Sequence, residues 1–193
     1  IVMEDIKDQE VVVSMPRIGD KAPEFKAVTT QGDINFPSDY SGSWTILFSH
    51  PADFTPVCTS EFMTFATIEV KFPLIEDISM NVAKKYGMIQ PTEDSTKAVR
   101  AVFFIDPQGI IRAIIYYPLS LGRNFDELYR VIIALQAADE FNIATPADWE
   151  PGDDVIIGPA GSCGTASDRM NDGELDCKDW FFCTKKLDKD LVL

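Results

Sequence analysis

The chain has 193 residues, of which 46% are hydrophobic and 25% charged, a make-up that suits one globular domain with a short appended arm. It contains no run of about 18 apolar residues, and its first ten residues are acidic, so we expect a cytoplasmic protein without a membrane-spanning helix. The 31 acidic and 17 basic residues give a net charge of −14, which repels nucleic acid and anionic membrane surfaces and excludes both as expected partners.

The residues most capable of chemistry are four cysteines, Cys58, Cys163, Cys177 and Cys183. A chain of this size does not need disulfides to fold, so structural bridges are not the first expectation. A zinc site favours closely paired ligands such as C-x2-C, whereas Cys177 and Cys183 are six residues apart and Cys58 lies near the single histidine, His50. The pattern therefore favours redox chemistry over metal binding.

A strand and a helix are predicted on either side of a proline-containing turn. Residues 45–49 (TILFS) form a short apolar run typical of a buried strand, and residues 51–56 interrupt it with two prolines. Thr55 suits the N-cap position of a helix, and Pro56 suits the first helical position. Cys58 is thus expected in the first turn of a helix that directly follows a strand.

The second half of the chain predicts a hairpin, a long helix and an arm. Residues 101–105 and 110–117 are β-rich runs separated by DPQG, which is typical of an antiparallel hairpin. Asn124, with Glu127 three residues later, predicts a capped amphipathic helix that ends near Phe141. From residue 145 onward Pro, Gly, Asp and Ser indicate an extended C-terminal arm. This order predicts an α/β fold with a mixed sheet flanked by helices.

The predicted position of Cys58 indicates a reactive thiol. The first turn of a helix presents unpaired N–H groups and the positive end of the dipole, which favour thiolate over thiol. Thr55, one turn earlier, can direct its hydroxyl at charge that develops on a leaving oxygen. A guanidinium could hold thiolate and peroxide together, and Arg100 and Arg123 are the candidates. Cysteine often only packs in a core, but these neighbours favour reactivity.

Pro51 and His50 are expected to shape the pocket around this thiol. Pro51 adds no hydrogen-bond donor but stiffens the loop, which helps to keep water away from the thiolate. A single histidine is more often a structural hydrogen-bonding residue than a catalyst. We therefore assign His50 the task of positioning the loop rather than direct proton transfer.

Three blocks of the sequence resemble the peroxiredoxins, and more narrowly their 1-Cys-like subfamily with a long C-terminal arm. They are residues 49–62 (SHPADFTPVCTSEF), 99–128 (VRAVFFIDPQGIIRAIIYYPLSLGRNFDEL) and 145–153 (TPADWEPGD). The resemblance implies a thioredoxin-like fold in which Cys58 is the peroxidatic cysteine. The other residues that it implies for the site are Thr55, Arg100, His50, Pro51 and Arg123.

The same resemblance implies domain organisation and partners. Residues 16–144 would form the thioredoxin-fold peroxidase domain, and residues 145–193 a C-terminal dimerisation arm. Family members pair as dimers through sheet edges and often assemble further, which implies a homodimer and beyond it a ring such as a decamer. The implied substrates are hydroperoxides, and the implied reductant is a thioredoxin- or glutaredoxin-like thiol protein. The reaction needs no metal, haem or flavin cofactor.

The chain departs from the family in the middle and near residue 43. The family has a further strand and helix, about thirty residues, between the peroxidatic helix and the segment that here reads KFPLIED, whereas Ala66 is followed by that segment almost at once. We expect a break in the chain between about Phe65 and Lys71. Some relatives hydrolyse lipids with a G-x-S-x-G serine, but the sequence around Ser43 is YSGSW, so that activity is not expected.

A second thiol is present in the predicted arm, where residues 177–183 (CKDWFFC) resemble the arm of microbial relatives that resolve the sulfenic acid with another cysteine. Cys183 is the predicted resolving residue and Cys177 its rival, since Trp180, Phe181 and Phe182 could dock the arm near a partner's site. Both cysteines could instead simply pack there. Cys163 is treated as a bystander.

The sequence thus predicts an enzyme that reduces hydrogen peroxide and small alkyl hydroperoxides through a cysteine sulfenic acid. The alternative is a peroxide-sensing redox switch or holdase chaperone, in which the same oxidation changes a partner interaction. Disulfide exchange of the thioredoxin type is disfavoured because the C-x-x-C motif is missing.

Overall fold

The strand and helix predicted around Cys58 are present in the structure, a computed structural model that describes residues 15–51, 56–66 and 72–191. The chain divides into two compact units, Ile1–Arg123 and Asn124–Leu193. This division differs from the predicted boundary after residue 144. That boundary separates a peroxidase domain from a dimerisation arm by their functions, and it stays a prediction. The predicted chain break between Phe65 and Lys71 lies outside the described residues.

The first unit contains a hairpin and a three-stranded sheet. Strands β1 (Phe25–Thr29) and β2 (Gly32–Phe36) pair antiparallel, and β3 (Thr45–Phe48), β4 (Arg100–Ile105) and β5 (Ile111–Tyr117) form an antiparallel sheet in the order β3-β4-β5. Helix α1 (Pro56–Ala66) follows β3, and a short helix α2 (Asn81–Lys85) precedes β4. The chain therefore leaves β3 and enters the predicted peroxidatic helix as expected.

The core of this unit lies on one face of the three-stranded sheet. Alternate residues of a strand point to one face, so Leu47, Ala101, Phe103 and Ile105 share the core face and are buried. Most of the other core residues come from the β1–β2 hairpin and from the region of α2; they include Phe25, Phe36, Val82, Tyr86 and Met88. Each large apolar side chain buried here stabilises the fold by about 1.5–3 kcal/mol.

The turn between β4 and β5 is held by one aspartate. Asp106 Oδ1 accepts hydrogen bonds from the backbone N–H groups of Gln108 and Ile110, at 3.0 and 2.9 Å. Gly109 has a φ of 78°, a conformation that glycine adopts without steric cost. The predicted hairpin is confirmed, and it places Arg100 at the first residue of β4.

The second unit contains the predicted long helix, α3 (Phe125–Phe141). Asn124 Oδ1 caps it by accepting a hydrogen bond from the Glu127 N–H at 3.1 Å. After it come β6 (Ile143–Ala144), β7 (Val155–Ile157), α4 (Cys163–Met170), β8 (Asp176–Asp179) and β9 (Phe182–Lys185). The strands form an antiparallel sheet in the order β6-β7-β9-β8.

The arm predicted from residue 145 therefore contains regular elements that composition did not indicate. Its short strands of three or four residues are too brief for a clear hydrophobic period. They are held by pairing and by a small core around Trp149, which includes Ala134, Ala137, Ile143, Val155 and Leu187. Trp149 is buried, and its Nε1–H donates to the Asp153 carbonyl at 3.2 Å.

Candidate active site

Cys58 is the third residue of α1 and is buried, with 1% of its surface exposed. Its backbone position follows from local sequence, because Pro56 occupies the first helical position, where a missing N–H costs no hydrogen bond. The first N–H groups of a helix have no partner inside the helix, and Cys58 lies in that first turn. Thr55, predicted to cap this helix, lies outside the described residues.

Arg100 places a positive charge against the thiol. Its Nη1 donates to Cys58 Sγ at 3.1 Å, and its Nη2 donates to the Leu119 carbonyl at 3.2 Å. The side chain is only 2% exposed, because β4 lies in the middle of the sheet and Arg100 begins that strand. The structure thus brings together two predicted site residues that are 42 positions apart in the chain.

Glu61, which sequence reasoning did not identify, joins the two candidate arginines. Its Oε2 accepts a hydrogen bond from Arg100 Nη1 at 3.4 Å and another from Arg123 Nη1 at 2.9 Å, while Oε1 accepts from the Arg123 backbone N–H at 3.0 Å. The carboxylate is 4% exposed. Its signal in the sequence was its position three residues after Cys58, since residues at i and i+3 share a helix face.

The side chain of Arg123 donates hydrogen bonds to Glu61 and to backbone carbonyls. Its Nη2 donates to the Ser49 carbonyl and to the Ala101 carbonyl, the latter at 3.5 Å. Its Cζ lies 5.3 Å from the centre of the Phe48 ring. Ser49 in turn donates through Oγ to the Val99 carbonyl and accepts from the Ala101 N–H at 2.8 Å. Arg123 therefore ties the end of β3 to β4 beside the site.

The charges of this buried cluster do not balance while Cys58 is a thiol. Two guanidiniums face one carboxylate, all less than one-twentieth exposed, so the group carries an excess positive charge that a thiolate would neutralise. Burial lowers the pKa of Arg123, and the nearby Glu61 carboxylate opposes that change. The Nε atoms of Arg100 and Arg123 are buried without a hydrogen-bond partner among the described residues. The cluster thus favours an anion at the sulfur.

His50 and Pro51 lie at the end of β3, next to the first turn of α1 in the chain. The His50 ring contacts the Phe62 ring edge to face, with centroids 4.8 Å apart, and this contact joins the loop to α1. Pro51 is half-buried. This contact agrees with the positioning task predicted for His50, which stays a prediction.

The two arm cysteines of the second unit are bonded to each other rather than present as separate thiols. Cys177 and Cys183 form a disulfide across the β8–β9 hairpin, with Cα atoms 4.0 Å apart. Cys183 is buried and Cys177 is half-buried. Trp180 and Phe181 lie between the two strands and are more than half exposed, with ring centroids 5.6 Å apart. Cys163 is exposed and lies outside this disulfide.

A metal-binding cluster and a membrane-spanning helix are both absent from the described part of the chain. Residues 15–51, 56–66 and 72–191 contain no cluster of three or more histidine, cysteine or acidic side chains able to hold a metal ion. Within the same residues, no helix has the length and apolar character needed to cross a membrane.

The chain matches two protein families. Residues 18–69 and 63–114 match the AhpC/TSA family in two overlapping blocks, and residues 134–172 match the C-terminal domain of 1-Cys peroxiredoxin. A curated relative named peroxiredoxin, from Methanosarcina mazei, is 49% identical and aligns with 89% of this chain and 98% of its own length. Another relative of that name, from Aquifex aeolicus, is 43% identical over 91% and 99% of the two chains.

A solved structure has a similar fold. It is a yeast mitochondrial 1-Cys peroxiredoxin, described with a thiol resolving mechanism via glutathione/thioredoxin systems, and it superposes with a TM-score of 0.78 at 37% identity, covering 90% of this chain and all of its own.

The alignment with the relative from M. mazei is longer than the part of the chain that it covers. It has 215 positions, whereas 89% of 193 residues is about 172 residues. About 43 aligned positions therefore have no counterpart in this chain. The two blocks that match the AhpC/TSA family overlap at residues 63–69, next to the place where the sequence passes from Ala66 to KFPLIED without the expected strand and helix.

Proposed function

The chain belongs to the peroxiredoxin family and is a thiol peroxidase, and from that premise we propose that Cys58 is its peroxidatic cysteine. The Cys58 thiolate attacks one peroxide oxygen, the O–O bond breaks, and the other oxygen leaves as an alkoxide that is protonated to an alcohol, or to water from hydrogen peroxide. The sulfur becomes a sulfenic acid. The observation that carries this proposal is the 3.1 Å hydrogen bond from Arg100 to Cys58.

The buried charge cluster supports the ionisation of Cys58. A buried guanidinium cannot lose its proton at neutral pH, so the excess positive charge of Arg100 and Arg123 over Glu61 is most simply neutralised by the thiolate. Burial strengthens this effect, because the attraction between charges grows as the local dielectric falls. The nucleophile is therefore charged before a peroxide arrives.

Guanidinium donors also suit the leaving oxygen. Negative charge grows on that oxygen as the O–O bond breaks, and donors held in advance stabilise it without reorganisation. Arg100 is assigned this task together with Thr55, whose hydroxyl is predicted one helical turn before Cys58. His50 and Pro51 are assigned to shaping the loop. Arg123 is assigned to holding Glu61 and the end of β3, because its hydrogen bonds go to these groups.

Cys183 is proposed to resolve the oxidised enzyme. Its thiolate attacks the Cys58 sulfenic acid, water leaves, and a disulfide joins the two residues, most simply between the arm of one subunit and the site of its partner. Cys177 can then attack Cys183, which returns Cys58 as a thiolate and leaves the Cys177–Cys183 disulfide. The presence of that disulfide in the structure supports this second step.

An external thiol reductant completes the cycle by reducing the Cys177–Cys183 disulfide. A thioredoxin- or glutaredoxin-like protein is proposed, in keeping with the glutathione/thioredoxin systems named for the yeast mitochondrial relative. Such a cycle needs a reducing compartment, which supports the cytoplasm as its location. The substrates proposed are hydrogen peroxide and small alkyl hydroperoxides.

A homodimer, and beyond it a ring such as a decamer, is proposed as the working assembly. Trp180 and Phe181 offer exposed apolar surface on the arm, and burying such rings against a neighbouring subunit would stabilise the dimer.

The test is rapid-mixing peroxide consumption combined with mass analysis of the Cys58 peptide. The wild type is expected to consume peroxide and add one oxygen at Cys58 first. Cys58→Ser should abolish consumption without unfolding, because serine keeps the size but cannot supply a thiolate. Cys163→Ser is the matched control and should react like the wild type. Retained turnover in Cys58→Ser would refute the assignment.

A further inference from the structure

The guanidinium group of Arg100 is held at both of its Nη atoms. Nη1 donates to Cys58 Sγ at 3.1 Å and to Glu61 Oε2 at 3.4 Å, and Nη2 donates to the Leu119 carbonyl at 3.2 Å. The Nε atom is buried without a hydrogen-bond partner among the described residues. Because the guanidinium is planar and its donors have a fixed geometry, the Leu119 carbonyl helps to set the direction in which Nη1 points.

Leu119 lies in an irregular segment, residues 118–122, that follows β5. A Cβ atom on Gly122 would lie 3.5 Å from Val57 Cγ1, so the segment passes against the first turn of α1, next to Cys58. Its backbone groups have no helix or sheet ladder in which to pair, and side chains have to supply partners for them. The position of Leu119 therefore depends on contacts from other parts of the chain.

Glu93 provides such a contact at Leu119 itself. Its Oε1 accepts a hydrogen bond from the Leu119 N–H at 2.9 Å. A carboxylate acceptor makes a hydrogen bond of this kind stronger than a neutral acceptor does. The N–H of Leu119 thus bonds to Glu93 and its carbonyl bonds to Arg100. Glu93 is connected to the thiol through Leu119 and Arg100.

The loop that carries Glu93, residues 89–98, is tied to the strand that carries Arg100. The Val99 N–H donates to the Met88 carbonyl at 2.8 Å, and Val99 directly precedes Arg100 in the chain. This hydrogen bond closes the base of the loop. The Glu93 carboxylate is therefore held by the same strand whose arginine it helps to orient.

The contact between Glu93 and Leu119 is expected to affect the site more than overall stability. Glu93 is exposed, and substitutions of exposed residues change the free energy of unfolding little. The Arg100 side chain is only 2% exposed, so a change in its direction alters a contact from which water is excluded. Loss of the Glu93 carboxylate should therefore change reactivity while the protein stays folded.

We propose that Glu93 is a positioning residue for the peroxidase reaction: it fixes Leu119, whose carbonyl orients Arg100 towards Cys58. The proposal rests on the function proposed above for Cys58. It differs from a direct charge effect, because a carboxylate near the thiol disfavours the thiolate, whereas a correctly oriented guanidinium favours it. Removal of Glu93 therefore changes the ionisation of Cys58 in opposite directions under the two explanations.

The test compares Glu93→Ala with Glu93→Gln in the reduced full-length protein. Peroxide consumption is measured by rapid mixing, and the pH dependence of iodoacetamide alkylation is measured by mass analysis of the Cys58 peptide. Glu93→Ala should slow peroxide consumption about tenfold, because a small misplacement of a group at the site is costly, and it should shift the alkylation midpoint to higher pH. Glu93→Gln keeps an oxygen that can accept the Leu119 N–H and should stay within about twofold of the wild type.

Asp94→Ala is the matched control. Asp94 is the next residue of the same loop, and its Oδ1 accepts hydrogen bonds from the N–H and the hydroxyl of Thr96, both at 2.7 Å. These contacts stay inside the loop and do not reach Leu119. Asp94→Ala removes the same charge as Glu93→Ala and should react as the wild type does.

A double variant shows whether Glu93 acts through Arg100. Glu93→Ala is added to Arg100→Met, and the rate is compared with that of Arg100→Met alone. Without the guanidinium there is no group to orient, so the added substitution should slow peroxide consumption less than about twofold.

Four outcomes would each overturn the proposal: unchanged kinetics in Glu93→Ala, a lower alkylation midpoint in both Glu93 variants, equal slowing by Asp94→Ala, or an undiminished effect of Glu93→Ala in the Arg100→Met background. Failure of the function proposed for Cys58 is distinguishable from these outcomes. The wild type would then not oxidise Cys58 with peroxide, whereas the alkylation midpoints, measured without peroxide, would still show whether Glu93 orients Arg100.

Discussion

Replacing Glu61 by glutamine separates the effect of the buried charge cluster on the Cys58 pKa from its effect on stability, because it removes the carboxylate that bonds to both Arg100 and Arg123 while keeping the side-chain size. Both Cys58 Sγ and Glu61 Oε2 accept hydrogen bonds from Arg100 Nη1, at 3.1 and 3.4 Å. The sulfur and that oxygen therefore cannot be more than about 6.5 Å apart. A negative charge this close disfavours the thiolate.

The expected change in the Cys58 pKa follows from the distance between the sulfur and the Glu61 oxygen. At about 6.5 Å and an effective dielectric constant of about 20, two unit charges interact by about 2.5 kcal/mol, which corresponds to almost two pKa units. Relaxation of the site reduces this figure, so Glu61→Gln is expected to lower the Cys58 pKa by about one unit. The same change leaves two buried guanidiniums without their carboxylate, which should lower the free energy of unfolding by about 3–5 kcal/mol.

The change in the Cys58 pKa and the change in stability are measured separately. The pH dependence of iodoacetamide alkylation, measured by mass analysis of the Cys58 peptide, reports the thiol pKa, and urea unfolding reports stability. Glu127→Gln is the matched control, since Glu127 bonds to Arg130 at 2.6 Å in a partly exposed pair on α3. Surface ion pairs contribute about 0–1 kcal/mol to stability, and the Cys58 pKa should be unchanged in Glu127→Gln. An unchanged or raised Cys58 pKa in Glu61→Gln would refute the charge argument.

The remaining predictions concern the arginines, the arm and a buried tyrosine. Arg100→Met should slow peroxide reduction by about 10²–10³-fold, whereas Arg123→Met should slow it less and lower stability more; equal small effects in rapid-mixing assays would contradict these assignments. On non-reducing gels of the reduced protein after one equivalent of peroxide, wild type should form a transient covalent dimer that Cys183→Ser does not form and that persists in Cys177→Ser, which has no thiol to attack Cys183; a dimer formed by Cys183→Ser but not by Cys177→Ser would transfer the resolving role. Burial raises the pKa of Tyr116 to about 12, so its phenol stays protonated in the fold while the unfolded chain ionises from about pH 10. Stability should therefore be full below pH 10 and fall by about 1–2 kcal/mol towards pH 12; urea unfolding at both ends should show a shallower fall in Tyr116→Phe, and an equal slope would contradict this cause.

Local sequence was sufficient to determine the position of Cys58. Pro56 at a helix start, after a short apolar strand, places Cys58 in the first turn of α1, and that geometry depends only on neighbouring residues. The β4–β5 hairpin and the Asn124 cap of α3 were predictable for the same reason, because turn and cap preferences act over three or four residues. The quoted motifs also identified the family.

Only the tertiary structure decided how the charges meet. Glu61 bonds to Arg100 and Arg123, which are 39 and 62 positions away, and no local pattern relates residues at such separations. The two arginines make different contacts because they lie on different parts of the chain: Arg100 begins β4, whereas Arg123 directly precedes the Asn124 cap of α3. Burial then determines the strength of these contacts, because a charge interacts strongly only where the packed chain has excluded water.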